Sequence, residues 1–269
     1  HGTTHSKNPD MKIRINPRYS ALEPFIRRLA EPGFFASKGE PLYEGRNTLR
    51  LFETQGHRLV VKRYGHLSLL NRLVYGFLRR SKAERAYRHA ARLHRMGIDS
   101  PEEVAFIEIR RHGLLAESYF VALRSDCLPL RPVVELDTPM ADRRNILDAL
   151  AAFLMQLHEA GVLHRDLNID NMLYRRKDDG QYAFQLIDTN RMSFSRRLST
   201  RRRLDNLRRL SCPAPVYLYL LDRYARLIHS DSDSVQLKGI IMRLGFEMRQ
   251  RTKRRLKQRI RQHRSRLRD

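Results

Sequence analysis

The segment from Ala141 to Asp188 constrains this chain most. Ile146, Leu147, Leu150, Phe153, Leu154 and Leu157 recur at helical spacing and predict a helix over 141–160 with a broad buried face. A polar octapeptide follows almost at once, His164-Arg165-Asp166-Leu167-Asn168-Ile169-Asp170-Asn171. Two short apolar runs, Asn171–Tyr174 and Tyr182–Ile187, then bracket Lys177-Asp178-Asp179-Gly180, a hairpin signal, and the second run ends on Asp188. Helix, polar loop and hairpin in direct succession place Asp166, Asn171 and Asp188 at the ends of regular elements.

That set suits phosphoryl transfer, which asks a protein for positioning and charge more than for covalent chemistry. Asp166 is placed to orient or deprotonate an attacking hydroxyl. Asn171, five residues on, can give a side-chain oxygen to magnesium, and Asp188 can hold the same kind of hard cation with its carboxylate. Asp and Asn are also common turn formers, so loop structure alone could explain each of them singly. His164 reads as a residue that holds the loop rather than as a base.

Upstream, residues 11–36 mix Pro17, Pro24 and Pro32 with short apolar groups and read as an arm wrapped on a lobe. Residues 42–64 alternate like strands around a turn at Gln55-Gly56, ending on Leu59-Val60-Val61-Lys62-Arg63-Tyr64. A helix is expected over 66–80. A second begins at Ser81 and ends near Gly97, followed by strands at Val104–Ile109 and Leu114–Leu123. This order builds a small α+β lobe. Lys62 follows three apolar neighbours, an uncommon setting for an ordinary solvated lysine. Glu84 has two readings: the partner of Lys62, or part of a capping box with Ser81. No glycine-rich loop is present. Gly45-Arg46-Asn47-Thr48 stands between the first strands, leaving Arg46 or the amides near Asn47 to meet phosphate.

Leu157-His158-Glu159-Ala160-Gly161-Val162-Leu163-His164-Arg165-Asp166-Leu167 resembles the helix and catalytic loop of the protein-kinase-like superfamily. Thr189-Asn190-Arg191 replaces the usual Phe-Gly pair after Asp188, and no Ala-Pro-Glu element follows. Together with Gly45-Arg46-Asn47, Val61-Lys62-Arg63, Ser81-Lys82-Ala83-Glu84 and Gly97-Ile98-Asp99-Ser100-Pro101, the chain over roughly 40–210 resembles bacterial lipopolysaccharide kinases that act on Kdo or heptose. The resemblance implies an α+β, bilobal protein-kinase-like fold, with a β-rich N-terminal lobe over 11–124 and a mainly helical catalytic lobe over 125–269. It further implies ATP, Mg2+, a sugar hydroxyl acceptor on lipid A or its core, and work at the cytoplasmic face of the inner membrane. By position, Lys62 would bind ATP phosphates with Glu84 as its partner, Asp166 would be the catalytic carboxylate, and Asn171 and Asp188 would hold the metal.

The formal charge of +24 calls for a polyanionic partner or reflects an Arg-rich codon bias. Arginines crowd residues 196–209 and 249–268, and Leu256, Ile260 and Leu267 trace a narrow apolar stripe through the second block. An anionic membrane surface fits that composition, as does a solvated basic tail. A nucleic-acid partner is disfavoured, since no recognised module or interleaved aromatics appear. Cys127 and Cys212 alone argue against a disulfide framework or zinc site and for a reducing compartment. No uncharged apolar stretch approaches the roughly 18 residues of a bilayer span, so a soluble or peripheral protein is expected. His1–Asp10 is polar and is expected to be disordered or an added remnant. Two other readings stand beside the glycolipid kinase: a kinase of a protein or small soluble molecule, and a non-catalytic ATP-binding pseudokinase or basic adaptor.

Overall fold

The computed structural model describes residues 10–65 and 80–266. Residues 1–9, the helix expected over 66–80 (save its last residue) and Leu267 therefore lie outside the described residues. The chain divides into two compact units, residues 1–127 with 185–191, and residues 128–184 with 192–269.

The first unit is built on a six-stranded antiparallel sheet in the order β1 (Asp10–Ile15), β5 (Glu103–Arg111), β6 (Leu114–Leu123), β4 (His57–Tyr64), β3 (Asn47–Thr54), β2 (Glu40–Glu44). Its N-terminal arm is more than a wrap. Met11, Ile13 and Ile15 alternate with charged residues, and this period-two pattern makes β1 (Asp10–Ile15) an edge strand paired with β5, Ile13 opposite Ile107. Helices α1 (Glu23–Arg28) and α2 (Phe34–Lys38) follow, and Ile26 and Phe35 bury into the sheet's core with Phe52, Leu59 and Val121. Strands β2 (Glu40–Glu44), β3 (Asn47–Thr54) and β4 (His57–Tyr64) come next. Gln55 and Gly56, both at positive φ, make the two-residue turn between β3 and β4.

Helix α3 (Lys82–Arg95) starts at Ser81, whose hydroxyl accepts from the Glu84 amide at 3.0 Å. It stops at Gly97, at φ 72°, where Gly97 and Ile98 amides donate to the carbonyls of His94 and Leu93. Strands β5 (Glu103–Arg111) and β6 (Leu114–Leu123) complete the sheet. Residues 185–191 then return to this unit, with the Leu186 amide donating to the Asp99 carbonyl at 3.0 Å.

In the second unit β7 (Leu128–Pro129) pairs with β9 (Met172–Arg176), with β10 (Tyr182–Leu186) beyond β9. The β9–β10 turn closes as predicted, the Lys177 amide donating to the Gln181 carbonyl at 2.7 Å. Helices α4 (Arg131–Val134) and α5 (Arg143–Glu159) precede β8 (Val162–His164), which pairs with β11 (Met192–Phe194). Helices α6 (Thr200–Leu207), α7 (Ala214–Leu227) and α8 (Ser232–Arg266) finish the chain. Pro213 separates α6 from α7. No helix among the described residues is long and apolar enough to cross a membrane.

Candidate functional site

The predicted residues fall into two groups, one in each unit. In the first unit, Lys62 projects from the middle of the sheet and its ammonium meets Asp188 Oδ1 at 2.8 Å. Asp188 is at φ 54°, a left-handed conformation that a short polar side chain tolerates, and this turns the chain sharply at the end of β10. The next residues are stapled to α3. Thr189 Oγ1 donates to the Ala86 carbonyl at 3.0 Å, and His89 Nδ1 donates to the Thr189 carbonyl at 2.7 Å. Asn190 donates from Nδ2 to Asp188 Oδ1 at 2.5 Å and to the Tyr64 hydroxyl at 3.4 Å. The contacts from Lys62 and Asn190 both use Asp188 Oδ1. The segment Thr189-Asn190-Arg191, a departure at the sequence level, thus fixes the carboxylate it follows.

Cations gather around this group. Lys62 and Lys82 lie 5.3 and 5.9 Å from the centroid of the same Tyr64 ring. Burial holds the Lys82 ammonium below its ordinary pKa, and the charges of Arg46, Arg191 and Arg85 push it the same way, against the pull of Asp188. Burial and the Asp188 charge raise the Tyr64 phenol, which stays protonated. Arg46 belongs to a turn held in place by Gly65, whose amide donates to Asn47 Oδ1 at 3.3 Å; a Cβ at Gly65 would run into the Arg46 carbonyl.

Glu84 goes elsewhere. Its carboxylate takes Lys12 at 2.8 Å and Arg88 at 2.7 Å, with Arg80 at 3.5 Å, while Lys62 takes Asp188. Burial would raise the Glu84 carboxyl, but the hydrogen bonds and charges of Lys12 and Arg88 outweigh it and hold the pKa low. Its amide does bond Ser81, so the Ser81 side of the capping box is formed.

In the second unit, β8 delivers His164 into the core, fully buried, and the chain turns back on it. The Asp166 amide donates to His164 Nδ1 at 3.1 Å and the Leu167 amide to the His164 carbonyl at 3.1 Å. Asn168 Oδ1 accepts the Asn171 amide at 3.1 Å, capping the short 3-10 turn Ile169–Asn171. The Asn171 side-chain NH2 donates to the Asp166 carbonyl at 2.8 Å, which fixes the amide's orientation and leaves Oδ1 as its oxygen ligand face. Arg131 grips Asp170 with two nitrogens, at 2.8 and 2.5 Å, and donates to the Ser211 carbonyl at 2.7 Å.

Beneath the loop runs a buried polar chain. Asn206 Nδ2 donates to the His164 carbonyl at 2.8 Å, so its Oδ1 is left to accept from His158 Nε2 at 3.2 Å. His158 must then carry its proton on Nε2 and accept the Tyr224 hydroxyl at Nδ1, 2.8 Å away. Burial pushes this imidazole down to about 4. Asn206, Tyr224, Arg131 and Lys82 escaped sequence reasoning. Only His158 carried a signal, through its place in the motif.

Each unit by itself offers a hard oxygen of the kind magnesium takes. Asp188 Oδ2 and Asn171 Oδ1 are hard oxygens, and among the described residues no cluster of three or more His, Cys, Asp or Glu could hold a metal by itself. Magnesium commonly completes its shell with phosphates and water.

A family model described as "Lipopolysaccharide kinase (Kdo/WaaP) family" matches residues 38–215. No curated protein matches the sequence. Among solved structures, "WaaP in complex with acyl carrier protein" is 18% identical with a TM-score of 0.58, covering 90% of this chain and 98% of that one. A MAP kinase from Leishmania major is 17% identical with a TM-score of 0.44, covering 82% of this chain and 66% of that one.

Proposed function

Because the chain belongs to the lipopolysaccharide kinase (Kdo/WaaP) family, an ATP-dependent kinase of the lipopolysaccharide core, we propose that it phosphorylates a Kdo or heptose hydroxyl of membrane-borne acceptor. The match over residues 38–215 carries this reading, since it contains Lys62, Asp166, Asn171 and Asp188 together.

In this reading Asp166 orients the sugar hydroxyl and takes up its proton as the sugar oxygen bonds the γ-phosphorus of ATP and the bond to the departing ADP breaks. The hydrogen bonds of its amide to His164 and of its carbonyl to Asn171 hold the loop to one shape, which is the positioning such a step requires. Lys62 contacts nucleotide phosphate, with Arg46 and Lys82 as further cations where a glycine-rich loop is lacking. Asn171 and Asp188 would hold Mg2+, which when bound would neutralise phosphate charge. Glu84, engaged with Lys12 and Arg88, supports α3 rather than the nucleotide. The cytoplasmic face of the inner membrane is the place such an acceptor would be met.

Labelled ATP and magnesium with Kdo-lipid A or a heptose-bearing core acceptor test the proposal, fragmentation of the product locating the phosphate. Asp166→Ala is expected to keep ATP binding and to lose about 100-fold or more in turnover. Label that reaches soluble aminoglycoside or protein acceptors but not glycolipid would overturn the assignment.

A further inference from the structure

Helix α8 has two apolar faces, and only one of them is covered among the described residues. On the covered face Val235 is buried, Gly239 packs on Leu221 and Tyr217, and Arg243 lies over the Tyr217 ring while donating to the Cys212 carbonyl. The Arg208 and Arg209 guanidinium carbons lie 5.1 and 5.0 Å from the centroid of the Phe246 ring. Leu237, Ile241, Leu244 and Met248 stand about 200° round the helix from Val235, Gly239, Met242 and Phe246 respectively. They are 61, 61, 54 and 67% exposed. A single exposed Leu means little, but four in one helical stripe form a patch of the kind that marks an interaction surface.

The same stripe continues in the same rhythm to Arg251 and Arg255, both exposed, with Lys253, Arg254 and Lys257 beside them. Glu247 is the one carboxylate between Ser234 and Arg266, and Arg243 pairs with it at 2.9 Å. An aliphatic ridge thus runs into an almost purely cationic helix.

We propose that this face of α8 is a docking surface for an anionic lipid bilayer, the helix lying in the interface plane. Leu237, Ile241, Leu244 and Met248 would dip among the acyl chains, and the arginines beyond Met248 would meet lipid phosphates. The charge is complementary, and it is spread along successive turns as a membrane surface requires. The ridge lacks the aromatic anchors that dominate protein–protein contacts. The choice of bilayer over an acidic protein also rests on the glycolipid reading, which places the acceptor in a membrane.

Co-sedimentation of the full chain with vesicles tests this, comparing phosphatidylglycerol-containing with purely phosphatidylcholine vesicles. Binding is expected only to the anionic vesicles and to weaken with added salt. Ile241→Asp with Leu244→Asp, and separately Arg251→Glu with Arg255→Glu, are expected to reduce partitioning about ten-fold or more. Leu237→Gln with Met248→Gln gives a milder version that keeps helical propensity. Kinase activity on a detergent-dispersed acceptor should be unchanged in all three. Wild-type protein that ignores anionic vesicles overturns the inference, as do stripe variants that bind like wild type. Stripe variants that lose self-association or an acidic protein partner while still binding vesicles also overturn it. Vesicle binding that depends on the stripe, in a protein without kinase activity, would uphold the docking surface and refute the function.

Discussion

The buried chain Tyr224–His158–Asn206–His164 makes a quantitative prediction. Donor and acceptor assignments require His158 to be neutral, and burial holds it at about 4, well below its ordinary 6.5. Between those values the unfolded chain binds a proton that the folded protein refuses. Stability therefore falls as pH falls through this window and is fully retained above about 6.5. The whole effect is about 3 kcal/mol, and the part expressed between about pH 7 and pH 5 is about 2 kcal/mol. Other groups titrate there too: His89 is also lowered, and His94 is raised by Glu103. The informative quantity is thus a difference between proteins. His158→Gln supplies a donor for Asn206 and an acceptor for Tyr224 without titrating. In urea unfolding at the two pH values, wild type should lose about 2 kcal/mol more than His158→Gln. Equal losses, or an imidazole titrating near its ordinary value by NMR, would refute the assignment.

Gly161→Ala and Gly97→Ala separate conformational cost from collision. Both glycines have positive φ, but a Cβ at Gly97 meets nothing within 4 Å whereas at Gly161 it strikes the Ser195 carbonyl. Gly97→Ala should cost about 1–2 kcal/mol in thermal unfolding and Gly161→Ala about 2 kcal/mol more; equal losses would refute the close packing of β8 on β11. Glu84→Gln should cost about 1–3 kcal/mol of stability through Lys12 and Arg88 with little change in the KM for ATP. A rise in that KM out of proportion to the lost stability would return Glu84 to Lys62.

Much of the secondary structure was legible because local chemistry decides it. The Gln55-Gly56 turn, the Ser81 cap, the Gly97 stop and the Lys177–Gly180 turn each need particular residues, and those residues are visible in the sequence. β1 was missed although Met11, Ile13 and Ile15 alternate, because the prolines after it suggested an irregular arm and strand pairing with β5 is a long-range matter. The polar loop was legible as a motif, but its supports were not. Asn206 lies 42 residues from His164, and nothing in its neighbourhood marks it as a partner. Glu84 had two readings because sequence gives spacing along α3 and not which cation reaches it; Lys12, 72 residues away, is one of those that do. Periodicity likewise traced an apolar stripe through Leu256 and Ile260, yet could not tell that Leu237–Met248 has a second face, uncovered among the described residues.

The return of residues 185–191 to the first unit bears on how the protein is made. A nascent chain that has emerged only as far as Cys127 holds every strand of the six-stranded sheet, but Lys62 has no Asp188 and His89 no Thr189 carbonyl. The first unit can be completed only after β8 to β10 have been synthesised, so its final assembly waits on part of the second. Cutting the gene at the apparent boundary would yield a sheet with an orphaned lysine, and the polar cluster around Tyr64 would be lost with the missing segment.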